Sequence, residues 1–253
     1  MSGAVSDLGA LRSELCWVAG VDGCRGGWLI VLCAITKQSR SPVRVVSHLC
    51  SEFKEVLNLP ERPVAIAVDM PIGLLEQAVP GGRDCDREAR ALLGRPRASS
   101  VFSPPARPAL RARMYSEVAK LNGAGLSKES FNILPKIREV DAVISAADQR
   151  RVFEVHPELV FAELAGAPLH HSKKTITGRR LRSRLLRGIY GNMLPDAARV
   201  RLSHGLRHVA LDDVFDASVL AYAAWRIYSG HAQRVPPGEP PRDARGLRME
   251  IWF

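Results

Sequence analysis

Unbroken apolar runs separated by glycine- and proline-rich breaks fill the first third of the chain, and this pattern predicts a sheet. The predicted strands cover residues 16–22, 28–35, 43–49 and 64–69. A glycine-rich turn at 23–27 joins the first two strands into an antiparallel hairpin. The fourth strand follows an amphipathic helix at 51–59, so we expect it to run parallel to the first strand.

The pattern becomes polar and helical from about residue 80 to residue 148. Helices are predicted at 83–93, 111–121 and 127–147, and Pro135 is expected to kink or split the last of them. A proline-rich loop at 94–110 is longer than a simple connection requires. We interpret the whole block as a helical insertion packed over one end of the sheet, because no flexible linker flanks it.

A fifth strand at 152–155 ends at His156 and Pro157. The helices predicted after it cover 158–165, 178–189, 195–202 and a long final stretch from Asp212 or Asp213 to about Tyr228. A short edge strand is expected within 247–253. The pattern therefore predicts one α/β domain over residues 16–253, with a mixed five-stranded sheet flanked by helices, after a disordered leader at 1–15.

Acidic residues stand at the ends of the apolar strands and on the apolar last helix, where an unpaired charge is expensive. They are Asp22, Asp69, Glu154, Asp213 and Asp216. Strands one and four should lie side by side and bring their terminal acids together, while the last two acids share a helix face. Several carboxylates without clustered His or Cys favour Mg²⁺ or Mn²⁺ over zinc. The sequence predicts a cation site of a kind that can activate water against a phosphodiester.

Each acid also has a structural interpretation. The two strand-end aspartates can form or cap turns, and Glu154 can be a surface residue or a partner of Arg151. Asp212 or Asp213 can simply cap the last helix. Asp216 is the hardest to explain in this way, because it lies one turn inside a helix that is apolar nearly all round.

The chain has a formal net charge of +10, which favours anionic partners. Two blocks, 89–116 and 164–195, carry many basic residues and no acid. The candidate phosphate-binding residues are Arg25, Arg87, Lys173 and Lys174. Solvated basic surfaces are the alternative. His156 follows Glu154 by two residues and is a candidate general base or proton shuttle, or else a histidine packed at a strand end.

Other features limit the protein class. No apolar run approaches the length of a membrane span, and the N-terminus does not resemble a secretory signal. The five cysteines lack CxxC spacing, which disfavours a zinc site or a disulfide framework. We therefore expect a cytoplasmic protein that has no membrane partner and acts on nucleic acid or a phosphorylated small substrate.

Five motifs together resemble an uncharacterised bacterial family, DUF429, whose members are labelled predicted nucleases of the ribonuclease H fold. They are GVDGCRGGW at 20–28, AVDMPIGL at 67–74, SSVFSPP at 99–105, EVHPE at 154–158 and DDVFDA at 212–217. The resemblance implies a ribonuclease H-like sheet with Asp22, Asp69, Asp213 and Asp216 as metal ligands. The role of Glu154 rests on the family motif alone.

Three functions follow as hypotheses. The first is a metal-dependent nuclease or other phosphodiester hydrolase. The second is a nucleotide-binding phosphotransferase or ATPase of the actin type, in which the Asp22 turn would cradle phosphates; the chain carries only one Asp-Gly turn of that kind. The third is a non-catalytic nucleic-acid-binding module that keeps the acids for structure.

Overall fold

One mixed sheet organises the chain, with its strands in the order β3-β2-β1-β4-β5. The computed structural model describes residues 15–36 and 41–253, so the predicted leader lies almost wholly outside the described residues. The strands are β1 (Cys16–Cys24), β2 (Gly27–Ile35), β3 (Arg44–Cys50), β4 (Ala65–Val68) and β5 (Val152–Glu154). The first three pair antiparallel, and β4 lies parallel to both β1 and β5. The predicted ribonuclease H-like fold class is confirmed by this topology.

Helices cover both faces of the sheet. In the described chain they are α1 (Phe53–Leu57), α2 (Asp84–Arg97), α3 (Tyr115–Asn122), α4 (Lys128–Asn132), α5 (Leu134–Val143), α6 (Pro157–Ala165), α7 (Ile176–Tyr190), α8 (Ala197–His204) and α9 (Leu211–Tyr228). Helices α2 to α5 lie between β4 and β5, as the predicted helical insertion requires. None of the helices in the described ranges is long and apolar enough to cross a membrane.

Two sequence predictions about local structure need correction, and a third is confirmed. Pro135 splits the helix predicted at 127–147, as expected, because it lies in the first turn of α5 and α4 ends before it. The loop expected at 94–110 contains two short 3₁₀ turns, at Ala98–Ser100 and Arg107–Arg111. The expected terminal edge strand is only β7 (Ile251–Trp252), which pairs with β6 (Arg234–Val235) in a separate two-stranded sheet.

The two faces of the sheet bury different apolar sets, as alternation along a strand requires. Val18, Ala65 and Ala67 face a core built with α6, α7 and α9. Ala19 and Ile66 face a second core built with α1 and α5. Both faces are therefore covered, which explains why the central strands are apolar without a break.

Helix α9 lies directly on β1 because Gly20 has no side chain. A Cβ built at this position would stand 2.1 Å from the carbonyl oxygen of Ala217 and 2.1 Å from the amide nitrogen of Ala221. Both atoms belong to the helix backbone and cannot move aside as a flexible side chain would. The glycine therefore fixes how closely the last helix approaches the first strand.

We expect Gly20→Ala to destabilise the protein by about 1–3 kcal/mol or more, because α9 must shift away from β1. Gly188 is the matched control, since it lies exposed within α7 and a Cβ there meets nothing within 4 Å. Gly188→Ala should stabilise the protein by roughly 0.5–1 kcal/mol. Urea unfolding of both variants measures the difference, and a Gly20→Ala midpoint at or above wild type would contradict the close contact.

Candidate active site

Two aspartates meet at the carboxyl ends of the parallel strands β1 and β4. Val21 pairs with Val68 in the register, and the amide of Asp69 donates to the carbonyl of Val21 at 3.1 Å. Asp22 and Asp69 are therefore neighbours on the sheet face that carries α9. Asp22 is only 8% exposed. This edge is where open α/β sheets present functional side chains.

The third carboxylate comes from α9. Asp216 is 1% exposed, and its charge interacts with both Asp22 and Asp69. Its Oδ2 accepts from the ammonium of Lys173, while its Oδ1 is buried without a hydrogen-bond partner in the described chain. The close approach at Gly20 brings this helix, and Asp216 with it, against the strand ends. The structure thus unites three of the five predicted acids in one interacting cluster.

Asp213 stands at the edge of this cluster. Its Oδ2 accepts from the amide of Ala210 at 2.8 Å, so the side chain caps the N-terminus of α9. Burial raises the pKa of Asp213, and the Ala210 hydrogen bond partly counters that effect. Its charge also raises the pKa of Asp22. Asp213 therefore caps the last helix and also lies at the acidic edge.

Glu154 lies on the other face of the sheet. It pairs with Val68 in the register, one position before Asp69, and parallel partners point the same way. Arg83 binds both of its oxygens, with Nη2–Oε1 at 2.5 Å and Nη1–Oε2 at 2.8 Å, and the Ile72 amide donates to Oε2 at 2.7 Å. The structure therefore does not bring Glu154 into the aspartate cluster.

Arg83 is shared between two buried acids. Its guanidinium also binds Asp86, with Nη2–Oδ1 at 2.7 Å, and donates to the carbonyls of Ile72 and Gly73. Burial raises the pKa of Glu154 to about 7, against the opposing effect of Arg83. The ion pairs of Arg83 with Glu154 and Asp86 hold the turn that follows Asp69 against β5 and α2. Arg151, the partner considered from sequence, instead donates to the carbonyl of Leu57.

Glu158 is a site residue that the sequence reasoning missed. It lies in the first turn of α6, is 6% exposed, and accepts from the Nη2 of Arg182 at 2.5 Å. Its Oε2 is buried and has no hydrogen-bond partner in the described chain. Its charge raises the pKa of both Asp69 and Asp216. The available signal was Pro157, which starts a helix directly after strand five and so places the next residue at the same sheet edge.

The electrostatics of the cluster follow from burial and like charge. The pKa of Asp22 is raised well above its ordinary value, first by burial and then by Asp216 and Asp69. Burial raises the pKa of Asp216 to about 6, although Lys173 opposes the shift. Burial would lower the pKa of Lys173, but the charges of Asp216, Asp22 and Asp69 outweigh it and raise that pKa. One ammonium thus faces several carboxylates.

His156 is the last residue before α6 and lies beyond the end of β5. Its Nε2 is 3.2 Å from the carbonyl oxygen of Ser100, and its Nδ1 is buried without a hydrogen-bond partner among the described residues. Interaction with His156 lowers the pKa of Asp69, against the larger effect of burial. His156 therefore lies near the aspartate cluster and touches the proline-rich loop.

The basic candidates lie on three different segments of the chain. Arg25 and Lys174 are exposed, in the β1–β2 turn and before α7. Arg87 is exposed and pairs with Asp84. Several arginines of the acid-free blocks have structural partners; Arg107, for example, binds three carboxylates. Only part of the basic excess is therefore left for an anionic partner.

The oxygen donors suit a hard divalent cation. Two of them, Asp216 Oδ1 and Glu158 Oε2, are buried and have no hydrogen-bond partner among the described residues, a costly state that a cation would relieve. No three His, Cys, Asp or Glu side chains within residues 15–36 and 41–253 already converge as a finished metal-binding group. The ammonium of Lys173 instead contacts Asp216 Oδ2.

The comparison with protein families agrees with the motifs. The model of a family described as "Protein of unknown function (DUF429)" matches residues 20–241. No curated protein matches the chain. Among solved structures, it is similar to a Thermus thermophilus RuvC structure, with 14% identity, a TM-score of 0.35, and coverage of 85% of this chain and 97% of that chain. T. thermophilus RuvC in complex with Holliday junction substrate matches at 17% identity and a TM-score of 0.34, with the same coverage.

Replacing Arg83 should test whether Glu154 has a structural role. Arg83→Met leaves Asp86 and Glu154 buried without their cation, so we expect a loss of about 3–5 kcal/mol in the free energy of unfolding. Arg87→Met removes an exposed pair on the same helix and should cost about 1 kcal/mol or less. Urea unfolding separates the two cases. Equal midpoints for both variants would contradict the structural assignment.

Replacing Asp22 should stabilise the protein in the absence of divalent cations. Its folded pKa lies above the ordinary value of 3.8, so the stabilising contribution of its proton is complete below pH 3.8 and is lost as the pH rises through the folded pKa. Asp22→Asn should therefore raise the unfolding temperature at pH 8 and have a shrinking effect as the pH falls towards 4. Asp212→Asn is the control on the edge of the same helix. A lower unfolding temperature for Asp22→Asn at pH 8 would contradict the electrostatic account.

Proposed function

Because the chain belongs to the DUF429 family, whose description assigns no function, we propose its activity from the site: a divalent-cation-dependent phosphodiester hydrolase that cleaves nucleic acid. The observation that carries this proposal is the cluster of buried carboxylates at the sheet edge, with two oxygens that lack a partner in the described chain. Buried acids of this kind destabilise a fold and are retained where they serve a site.

The residues that would hold Mg²⁺ or Mn²⁺ are Asp22, Asp69, Asp216 and Glu158. Each presents hard carboxylate oxygens, and within the described residues none of the four binds an arginine through both oxygens as Glu154 binds Arg83. A bound Mg²⁺ or Mn²⁺ would supply two things here: it would make a coordinated water more acidic, and it would compensate charge on the leaving oxygen. Asp213 would add negative charge at the edge of the site.

His156 is the candidate proton carrier. It lies close enough to Asp69 for their charges to interact, and its Nδ1 is unpartnered in the described chain. An imidazole in this place can accept a proton from the attacking water or return one to the leaving group. We assign Glu154 a different task, because its bonds to Arg83 and the Ile72 amide hold the turn after Asp69 in place.

The net charge of +10 favours nucleic acid as the substrate class over a small phosphorylated molecule. Arg25, Arg87 and Lys174 are exposed, so their side chains are accessible to the phosphates of a polyanion. Lys173 adjoins the carboxylates themselves. These basic residues would hold the polyanion while the carboxylates, which alone would repel it, carry the cation.

The test is cleavage of a labelled panel of single- and double-stranded DNA, RNA, hybrid and four-way junction with Mg²⁺ or Mn²⁺. We expect wild type to cleave at least one substrate, and Asp22→Asn and Asp216→Asn each to lose about 100-fold or more of that activity. Asp212→Asn, on the same helix but outside the cluster, should retain activity close to wild type. Circular dichroism of every variant checks that each one is folded.

Two outcomes would count against the proposal. Full activity in Asp22→Asn or Asp216→Asn would place the chemistry elsewhere. An absence of cleavage across the panel, with Mg²⁺ binding retained, would favour a small phosphorylated substrate or the nucleotide-binding alternative, which calorimetry with ATP and Mg²⁺ would then examine.

A further inference from the structure

We propose that Lys173 is an internal cation that occupies the carboxylate site in the metal-free protein and leaves it by side-chain rotation when a divalent cation binds. The inference rests on the proposed function, since it concerns how that same site admits its metal. Lys173 would act in this way before any substrate binds.

The contacts of Lys173 are those of a counter-cation. Its ammonium binds Asp216 Oδ2 and interacts electrostatically with Asp22 and Asp69. A single positive charge cannot balance this group of acids. The buried Asp216 Oδ1 and Glu158 Oε2 stay without a hydrogen-bond partner in the described chain even with the ammonium present. The lysine therefore satisfies the site only in part, and a divalent cation would satisfy it better.

The backbone on both sides of Lys173 is firmly held. Arg182, which is 0% exposed, donates from Nη1 to the carbonyl of His171 at 3.1 Å and from Nη2 to Glu158. The amide of Thr175 donates to the carbonyl of Ser172 at 3.0 Å, and its hydroxyl caps α7. An opening of the whole loop would break these bonds, so the displacement has to occur in the lysine side chain.

The side chain has a route out of the site. It is 37% exposed although its ammonium touches a carboxylate that is almost fully buried. A lysine side chain is unbranched and long, so rotation about its own bonds can carry the charge to solvent while the backbone stays in place. After that rotation the ammonium remains at the rim, where it is available to a phosphate group.

This arrangement makes metal and ammonium competitors for the same oxygens. Wild type should therefore bind Mg²⁺ more weakly than a variant without the ammonium, and Mg²⁺ should expose Lys173. Lys174 is the matched control, because it has the same charge, is the next residue, and is exposed. The comparison separates displacement from a general effect of net charge.

The first measurement is calorimetric titration of metal-free protein with MgCl₂. We expect Lys173→Gln to bind Mg²⁺ about tenfold or more tightly than wild type, and Lys174→Gln to match wild type. The second uses wild type alone and so does not depend on a variant folding. Acetylation of lysines at pH 8, followed by mass spectrometry, should show Lys173 labelled several-fold faster with Mg²⁺ than without it, while Lys174 is unchanged. The Mg²⁺ effect on labelling should vanish in Asp22→Asn.

The outcomes distinguish this inference from the proposed function. If Mg²⁺ binds wild type but neither tightens with Lys173→Gln nor alters the labelling of Lys173, the inference is overturned and the cation site stands. If Mg²⁺ binds neither wild type nor Lys173→Gln, both the inference and the proposed function fail. Faster labelling together with tighter binding supports both.

Discussion

The contact between α9 and β1 at Gly20 is the constraint on which the rest of the site depends. The two backbones meet there with no space for a Cβ. This contact fixes the distance between the helix and the strand and the rotation of the helix about its own axis. Asp22 lies two residues further along β1 on the same face, and Asp216 lies directly before the helix residue that touches the glycine. A small residue in the strand thus determines the separation of two carboxylates.

Two groups of buried charge lie on opposite sides of the same strand ends and behave differently. Arg83 binds Asp86 and Glu154 through paired, well-aligned hydrogen bonds, and this group serves to join segments of the chain. In the described part of the chain, the aspartate cluster and Glu158 together have one partly exposed lysine and two buried oxygens without a hydrogen-bond partner. A buried group of ion pairs in which every donor and acceptor is bonded indicates a structural role. A buried group with unbonded oxygens indicates a site for a ligand.

The sequence correctly predicted that Asp22 and Asp69 lie together, but it did not predict the side of the sheet on which Glu154 lies. Asp22 and Asp69 end apolar strands, and the parallel pairing that brings them together follows from the helix between those strands. Glu154 also ends an apolar strand, yet its position is one residue out of phase with Asp69, which turns it to the opposite face. Only the register reveals that difference, because a shift by one residue reverses the direction of every side chain.

Long-range ion pairs explain why the remaining roles were beyond sequence reasoning. Arg83 lies in a different part of the sequence from Glu154, and Arg182 reaches Glu158 from another helix, so no local pattern links these residues. The pairs nevertheless set the balance of charge at the sheet edge. Arg83 binds both oxygens of Glu154 and so leaves neither for a cation, while Arg182 binds one oxygen of Glu158. The other oxygen of Glu158 is held in place by the same bond but has no hydrogen-bond partner among the described residues. A glutamate held in that way is pre-organised for a ligand, which explains why a residue that looked like part of a helix start contributes to the candidate site.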